Sequence, residues 1–96
     1  MYFALLYETV PDYLERRAPY RAEHLQLAKE AQRAGKLLLA GAFNPPEGAL
    51  LVFRAESPAE VEAFARNDPY VRNGVVRGWR VREWTVVIGG DADAPR

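Results

Sequence analysis

The chain has 96 residues, 49% of them hydrophobic, and 13 basic side chains balance 13 acidic ones to a formal net charge of zero. A length of this order fits one domain with a thin core, the apolar content excludes a disordered chain, and the neutral balance excludes a general electrostatic grip on nucleic acid or an anionic membrane. With no cysteine and a single histidine, neither a disulfide framework nor a zinc cage within one chain is expected, and no residue is assigned to metal.

Residues 2–8 begin the chain as a strand candidate rich in aromatic and aliphatic side chains. One face carries Tyr2, Ala4 and Leu6, the other Phe3, Leu5 and Tyr7; both are apolar, so both call for cover. This run has no basic flank and no small-residue cleavage site, and it is too short to span a bilayer, which points to a soluble, cytoplasmic protein. Residues 9–18 form a polar connection holding Pro11, with a helical turn expected over 12–17.

A long helix is expected over 19–35, because Pro19 suits the first turn and Gly35 a helix stop. Tyr20, His24, Leu27, Ala31 and Ala34 then recur at the spacing that lines up one face. That face packs on a sheet, so the chain's one imidazole points inward from a position where leucine is the ordinary choice. Residues 37–43 and 49–55 are two more strands, nearly all apolar, joined by the turn Asn44-Pro45-Pro46-Glu47-Gly48.

Ser57-Pro58-Ala59-Glu60 reads as a helix start, with Ser57 as cap, Pro58 in the first position and Glu60 completing a capping box. Val61, Phe64 and Ala65 give this second helix its apolar stripe. Residues 68–74 repeat the pattern in miniature, with Asp68 as cap, Pro69 next and Gly74 as terminator. A fourth strand is expected over 79–88; its Arg80, Arg82 and Glu83 mark an edge or a charged rim. Residues 1–88 thus make one domain, and residues 89–96 a small, polar, frayed tail.

The element order βαββαβ is the ferredoxin-like split βαβ arrangement, an α+β fold with a four-stranded antiparallel sheet and both helices on one face. Since three of the four strands are apolar on both sides, the second sheet face exceeds the few hundred Å2 of apolar patch tolerated on a monomer. The simplest cover is the same face of a second copy, giving a homodimer with two sheets face to face. The sequence leaves open whether such dimers stack into larger rings.

Several stretches carry a likeness to known proteins: Tyr2-Phe3-Ala4-Leu5-Leu6-Tyr7, Arg21-Ala22-Glu23-His24-Leu25, Leu39-Ala40-Gly41, Asn67-Asp68-Pro69-Tyr70-Val71 with Gly74-Val75, and Val81-Arg82-Glu83-Trp84. In their order and spacing they resemble the YCII-related (YciI-like) family of small proteins, over residues 1 to 88. The resemblance implies a ferredoxin-like dimeric α+β barrel and an active-site pair at His24 and Asp68. It also implies, from at least one member, dehydrochlorinase chemistry on a chlorinated hydroxyquinol. Other dimeric α+β barrels are isomerases, monooxygenases or decarboxylases, so the fold does not choose the reaction. Pro19, five residues before His24, departs from the family pattern and shortens the helix on that side.

Two readings of the chemistry follow. In the first the protein is a small enzyme acting by elimination or isomerisation on a small, aromatic or carbonyl metabolite. His24 is then the general acid/base and Asp68 the group that fixes its tautomer. Arg17 and Arg21, seven and three residues before His24, bind an anionic or phenolate oxygen, and Tyr7 lines the cavity. No cofactor is signalled. In the second reading the protein is a non-catalytic dimeric module that binds a small ligand or serves a partner enzyme. Here His24 is a core histidine bonded to a backbone carbonyl, Asp68 is an N-cap, the arginines are a solvated helix flank, and Tyr7 is core. The distance between the two side chains discriminates the readings. Ser57 is the only serine and reads as a cap, the glycines form no phosphate loop, and no basic–aromatic platform offers a nucleic-acid site.

Overall fold

The first strand sets the layers. In the computed structural model, which describes residues 1–90, β1 (Tyr2–Thr9) buries Phe3, Leu5, Tyr7 and Thr9 and leaves the alternate side chains less covered. Odd-numbered residues therefore face the helices and even-numbered ones the other side, as the two-residue period of a strand requires. After β1 come α1 (Tyr13–Arg16), a single 3-10 turn at Ala18–Tyr20, α2 (Arg21–Arg33), β2 (Leu37–Ala42) and β3 (Gly48–Arg54). The chain ends through α3 (Pro58–Asn67), α4 (Pro69–Arg72) and β4 (Val76–Trp84). The strands form one antiparallel sheet in the order β2-β3-β1-β4, the ferredoxin-like α+β topology expected from the element order.

Helix α2 lies over β2, and α3 lies over β1 and β4. Val61, Phe64 and Ala65 of α3 join Phe3, Leu5, Leu51 and Phe53 in one core, with the Phe53 and Phe64 rings edge to face at 5.0 Å. The opposite sheet face is less sheltered. Leu39 is 71% exposed and Trp84 49% exposed, beside half-buried Leu6 and Leu50. Strand β4 is an edge strand, as its charges indicated, and Arg80 and Arg82 sit on that uncovered face. Among the described residues no helix is long and apolar enough to cross a membrane.

Strand β4, the start of α2 and the cap of α3 depart most from expectation. Strand β4 runs from Val76 to Trp84 rather than over 79–88. Its register is set by β1, in which Tyr2 faces Trp84 and Thr9 faces Val76, so residues past Trp84 run beyond the end of their partner. Their high strand propensity finds no ladder, and Val87 and Ile88 stand 75% and 81% exposed. Pro19 lies in the 3-10 turn, and the α-helix proper begins at Arg21, so His24 sits in its first turn. The capping box is displaced as well. Ser57 makes no side-chain cap bond; Glu60 Oε2 instead accepts from the Glu56 N–H at 2.6 Å, while Oε1 takes Lys36 Nζ at 3.0 Å. The Lys36 bond, then the backbone bond, holds the Glu60 carboxyl below its usual range. The tail expected over 89–96 lies outside the described residues from position 91 onward.

Gly48 has a positional role at the floor of the fold. A Cβ there would lie 2.6 Å from the Tyr7 carbonyl oxygen, so β3 comes this close to the end of β1 only because residue 48 lacks a side chain.

Candidate active site

Three local features converge on one carboxylate. Asp68 joins α3 to α4 in an extended conformation, and its Oδ1 accepts the Tyr70 N–H at 2.9 Å, capping α4. Pro69 supplies no N–H of its own at the first helical position, so the carboxylate is free to serve other donors. From the end of β1, the Tyr7 hydroxyl donates to Asp68 Oδ2 at 2.7 Å. From the first turn of α2, His24 Nδ1 lies 2.9 Å from both carboxylate oxygens. Asp68 is fully buried, and the His24 side chain is 14% exposed. Oδ1 thus serves both the cap and the histidine, and Oδ2 both the histidine and Tyr7.

A carboxylate is an acceptor only, so the Nδ1 facing it carries the proton, and Nε2 keeps its lone pair. The imidazole is fixed in plane too, because the Tyr70 ring stacks on it at 3.9 Å with 8° between planes, and Tyr13 meets Tyr70 edge-on at 6.3 Å. A hydrogen bond from below and a ring alongside leave His24 one orientation and one tautomer, which is what a positioned proton carrier requires.

A cleft of about 200 Å3 opens beside His24. Its floor is the helix-facing side of the sheet, with Tyr7 and Thr9 from β1 and Ala49 and Leu51 from β3. Its roof is the start of α2, with Arg21, His24, Leu25 and Ala28. Tyr13, Arg17 and Tyr70 close one end, and Ala40, Gly41 and Ala42 of β2 form the ledge. The space exists because Ala28, Ala40, Gly41, Ala42 and Ala49 are small where a sheet–helix core ordinarily holds Leu, Ile or Val. The cationic side chains on its walls are Arg17 and Arg21, so its field favours an anion. Arg17 Nη1 donates to the Tyr13 hydroxyl at 3.0 Å and its guanidinium lies 5.0 Å from that ring centroid. A larger hollow of about 550 Å3 runs along β1 and β4, past Leu6, Glu8, Gly78 and Arg80. Neither His24 nor Asp68 lines it, so volume alone does not locate the chemistry. Among the described residues no three His, Cys, Asp or Glu side chains gather into a metal-ligating set.

Residues 1–85 match the YCII-related domain. The chain belongs to the YCII-related domain family. An uncharacterised protein of Haemophilus influenzae (strain ATCC 51907 / DSM 11121 / KW20 / Rd) is 32% identical over 85 residues, covering 78% of this chain and 87% of that protein. Among solved structures, 5-chloro-2-hydroxyhydroquinone dehydrochlorinase from Burkholderia phenoliruptrix AC1100, in complex with 2,5-dihydroxybenzoquinone, superposes with a TM-score of 0.76 at 26% identity. That match covers 88% of this chain and 94% of the dehydrochlorinase. A fold of this size and topology is thus one on which an enzyme is built.

In this YCII-related protein the structure brings all five residues singled out from sequence, Tyr7, Arg17, Arg21, His24 and Asp68, to one place. Arg17 and Arg21 stand at the cleft rather than on a remote flank, and the Tyr7 hydroxyl is turned onto Asp68 rather than into open space. Three wall residues went unnoticed in the sequence: Thr9, Tyr13 and Tyr70. Thr9 had a usable signal, since it continues the inward alternation of Phe3, Leu5 and Tyr7 with a hydroxyl. The stacking of Tyr70 on His24 spans too much chain for any local pattern to carry.

Burial first, then the nearby Asp68 charge and the hydrogen bond to it, push the Tyr7 phenol far above its ordinary range. An unfolded tyrosine ionises near about pH 10, whereas folded Tyr7 keeps its proton well beyond that. The stabilisation this represents is whole below about pH 10 and is lost as pH rises further, because only the unfolded chain then releases the proton. Tyr7→Phe removes that loss. Urea titrations at about pH 9 and about pH 11 are expected to show a shallower decline in the variant, by up to about 1.4 kcal/mol per pH unit. Equal declines would mean that the Tyr7 proton is not held by Asp68.

Proposed function

We propose that this protein is a small cytoplasmic enzyme that performs acid–base elimination or isomerisation on a one-ring oxygenated metabolite, with His24 as the proton carrier. The observation that carries this reading is the 2.9 Å approach of His24 Nδ1 to a buried Asp68 at the wall of a cleft. A volume of about 200 Å3 is little larger than the roughly 150 Å3 cavity that holds benzene, so one substituted ring fits and two do not. The likeness to a dehydrochlorinase solved with 2,5-dihydroxybenzoquinone supports the same size and class.

In an elimination, Nε2 of His24 takes a proton from the substrate, the electrons of that bond move into the ring system, and a halide leaves with the electrons of its own bond. The net change is loss of one hydrogen halide, so no oxidant or reductant is called for. Asp68 stabilises the imidazolium formed on the way, in the manner of a triad carboxylate. Arg17 and Arg21 offer forked donors to the oxyanion that develops on the substrate. Tyr7 contributes its ring to the floor and its hydroxyl to Asp68. A wide His–Asp separation with no pocket beside His24 would have favoured the non-catalytic binding reading; the 2.9 Å approach beside a cleft supports the enzyme.

The working form in this reading is a homodimer joined through the uncovered sheet face, where exposed Leu39 and Trp84 adjoin Leu6 and Leu50. At roughly 25 cal/mol per Å2 of apolar surface, covering that face is a major stabilising term. Light scattering at micromolar concentration is expected to return twice the chain mass; the mass of one chain would remove the dimer. The function itself is tested by halide release from 5-chloro-2-hydroxyhydroquinone, together with titration of 2,5-dihydroxybenzoquinone. Release faster than in buffer with saturable binding supports the reading, and the absence of both would sink it.

A further inference from the structure

We infer that the hydroxyls of Thr9 and Tyr70 are the ligand's polar anchors in the cleft, so that the site selects one-ring compounds bearing hydroxyl or oxyanion groups at two separate positions. This rests on the acid–base reading above and names its substrate more closely. Among the described residues, Thr9 Oγ1 and Tyr70 Oη are the buried side-chain polar atoms without a hydrogen-bond partner. Both belong to residues that line the cleft beside His24. An unmatched buried hydroxyl costs about 1–3 kcal/mol, and native exceptions ask for a reason. Two of them on the walls of one cleft share a reason if a ligand supplies the missing bonds.

Packing does not explain either hydroxyl. Thr9 follows Phe3, Leu5 and Tyr7 on the inward face of β1, where valine has the same shape and no polar atom. Phenylalanine at position 70 would stack on His24 equally well. Neither hydroxyl has a partner in the protein, and both side chains line the cleft, so a group entering the cleft can supply the missing bond. The two lie on different elements, Thr9 on the sheet floor and Tyr70 on α4, so two ligand oxygens can be met, one by each.

The Tyr70 hydroxyl is suited to donate. Burial first, then Tyr13, push its ionisation up, so it stays protonated, while Arg17 and Arg21 pull the other way. Arg21 lies close enough to that hydroxyl to ease its ionisation. A ligand oxyanion set between the Tyr70 hydroxyl and that guanidinium satisfies both. The stack of Tyr70 on His24 then fixes the distance from anchored oxygen to base, which is how a substrate proton is delivered to Nε2.

The test uses Thr9→Val and Tyr70→Phe in the intact chain, each removing one oxygen and little volume. Wild type and variants are titrated with the dihydroxyquinone named above and with 1,4-benzoquinone, which lacks its two hydroxyls. Each substitution is expected to weaken dihydroxyquinone binding about ten-fold or more. The variants are expected to discriminate less between the two quinones, and unliganded Thr9→Val to melt no lower than wild type. Undiminished affinity in both variants overturns this inference alone and leaves the acid–base reading standing. A fall of several degrees in the unliganded Thr9→Val melting temperature also overturns it, since the hydroxyl would then have a partner without ligand. Failure of wild type to bind either quinone removes the proposed ligand class, and this inference with it.

Discussion

Replacing His24 by asparagine is expected to lower turnover by about 10²–10⁴-fold, the usual worth of a positioned general base, while ligand affinity stays within a few-fold. Asparagine is the informative choice because its amide nitrogen falls near the position of Nδ1. It can still donate to Asp68, which here receives Nδ1 at 2.9 Å on both oxygens. What it lacks is an atom at Nε2. The substitution thus separates the hydrogen bond that holds the site together from the lone pair that does the chemistry. A loss in kcat with KM unmoved assigns the lone pair to the chemical step. If instead kcat is unchanged and only stability falls, His24 is a core residue and the protein a binding module.

The two halves of this pair were visible in the sequence to different degrees. That His24 points inward follows from its place on the Tyr20–Leu27–Ala31 stripe, a local pattern of period 3.6. That Asp68 caps a helix follows from the proline after it. Neither pattern says that the two meet across 44 positions; that expectation came from the family resemblance. The topology was read correctly because alternation, caps and glycine stops are local: Gly35 and Gly74 both adopt the positive φ that ends their helices. What went astray was decided elsewhere in the chain. The end of β4 depends on where β1 begins, since Tyr2 is the last residue able to pair with it. Glu60 takes its short backbone bond from Glu56 while its other oxygen holds Lys36, a residue 24 positions away.

The cleft itself has no local signature. Ala28 is an ordinary helix residue, and Ala40, Gly41, Ala42 and Ala49 are ordinary strand fillers. Only the pairing of Ala42 with Ala49, with Ala40 beside Leu51, places small side chains side by side beneath α2. A hollow made by the absence of side chains becomes visible only once the sheet is assembled. Thr9 and Tyr70 are hidden for the same reason, since a hydroxyl without a partner is a property of the packed state.

Asp68→Asn and Asp68→Ala are expected to fail in different ways, and the contrast decides what the carboxylate does. Asp68 is fully buried and receives three donors: the Tyr7 hydroxyl, His24 Nδ1–H and the Tyr70 N–H. Alanine leaves all three unpaired in the interior. The loss is expected to reach about 3–5 kcal/mol, against about 1 kcal/mol for an N-cap alone. In a domain of this size that is a drop in melting temperature on the order of 15 °C or more. A drop of only a few degrees would reduce Asp68 to a helix cap. Asparagine keeps the shape and one acceptor but adds an N–H where acceptors are needed. Its least costly accommodation is for His24 to change tautomer, so that Nδ1 accepts and Nε2 carries the proton. The fold then survives while the base is lost, and turnover falls about as far as in His24→Asn although the imidazole remains. Nitrogen-15 shifts of His24 read this directly: the protonated nitrogen is Nδ1 in wild type and Nε2 in Asp68→Asn. Wild-type turnover in a variant with the switched tautomer would break the link between the carboxylate and the chemistry.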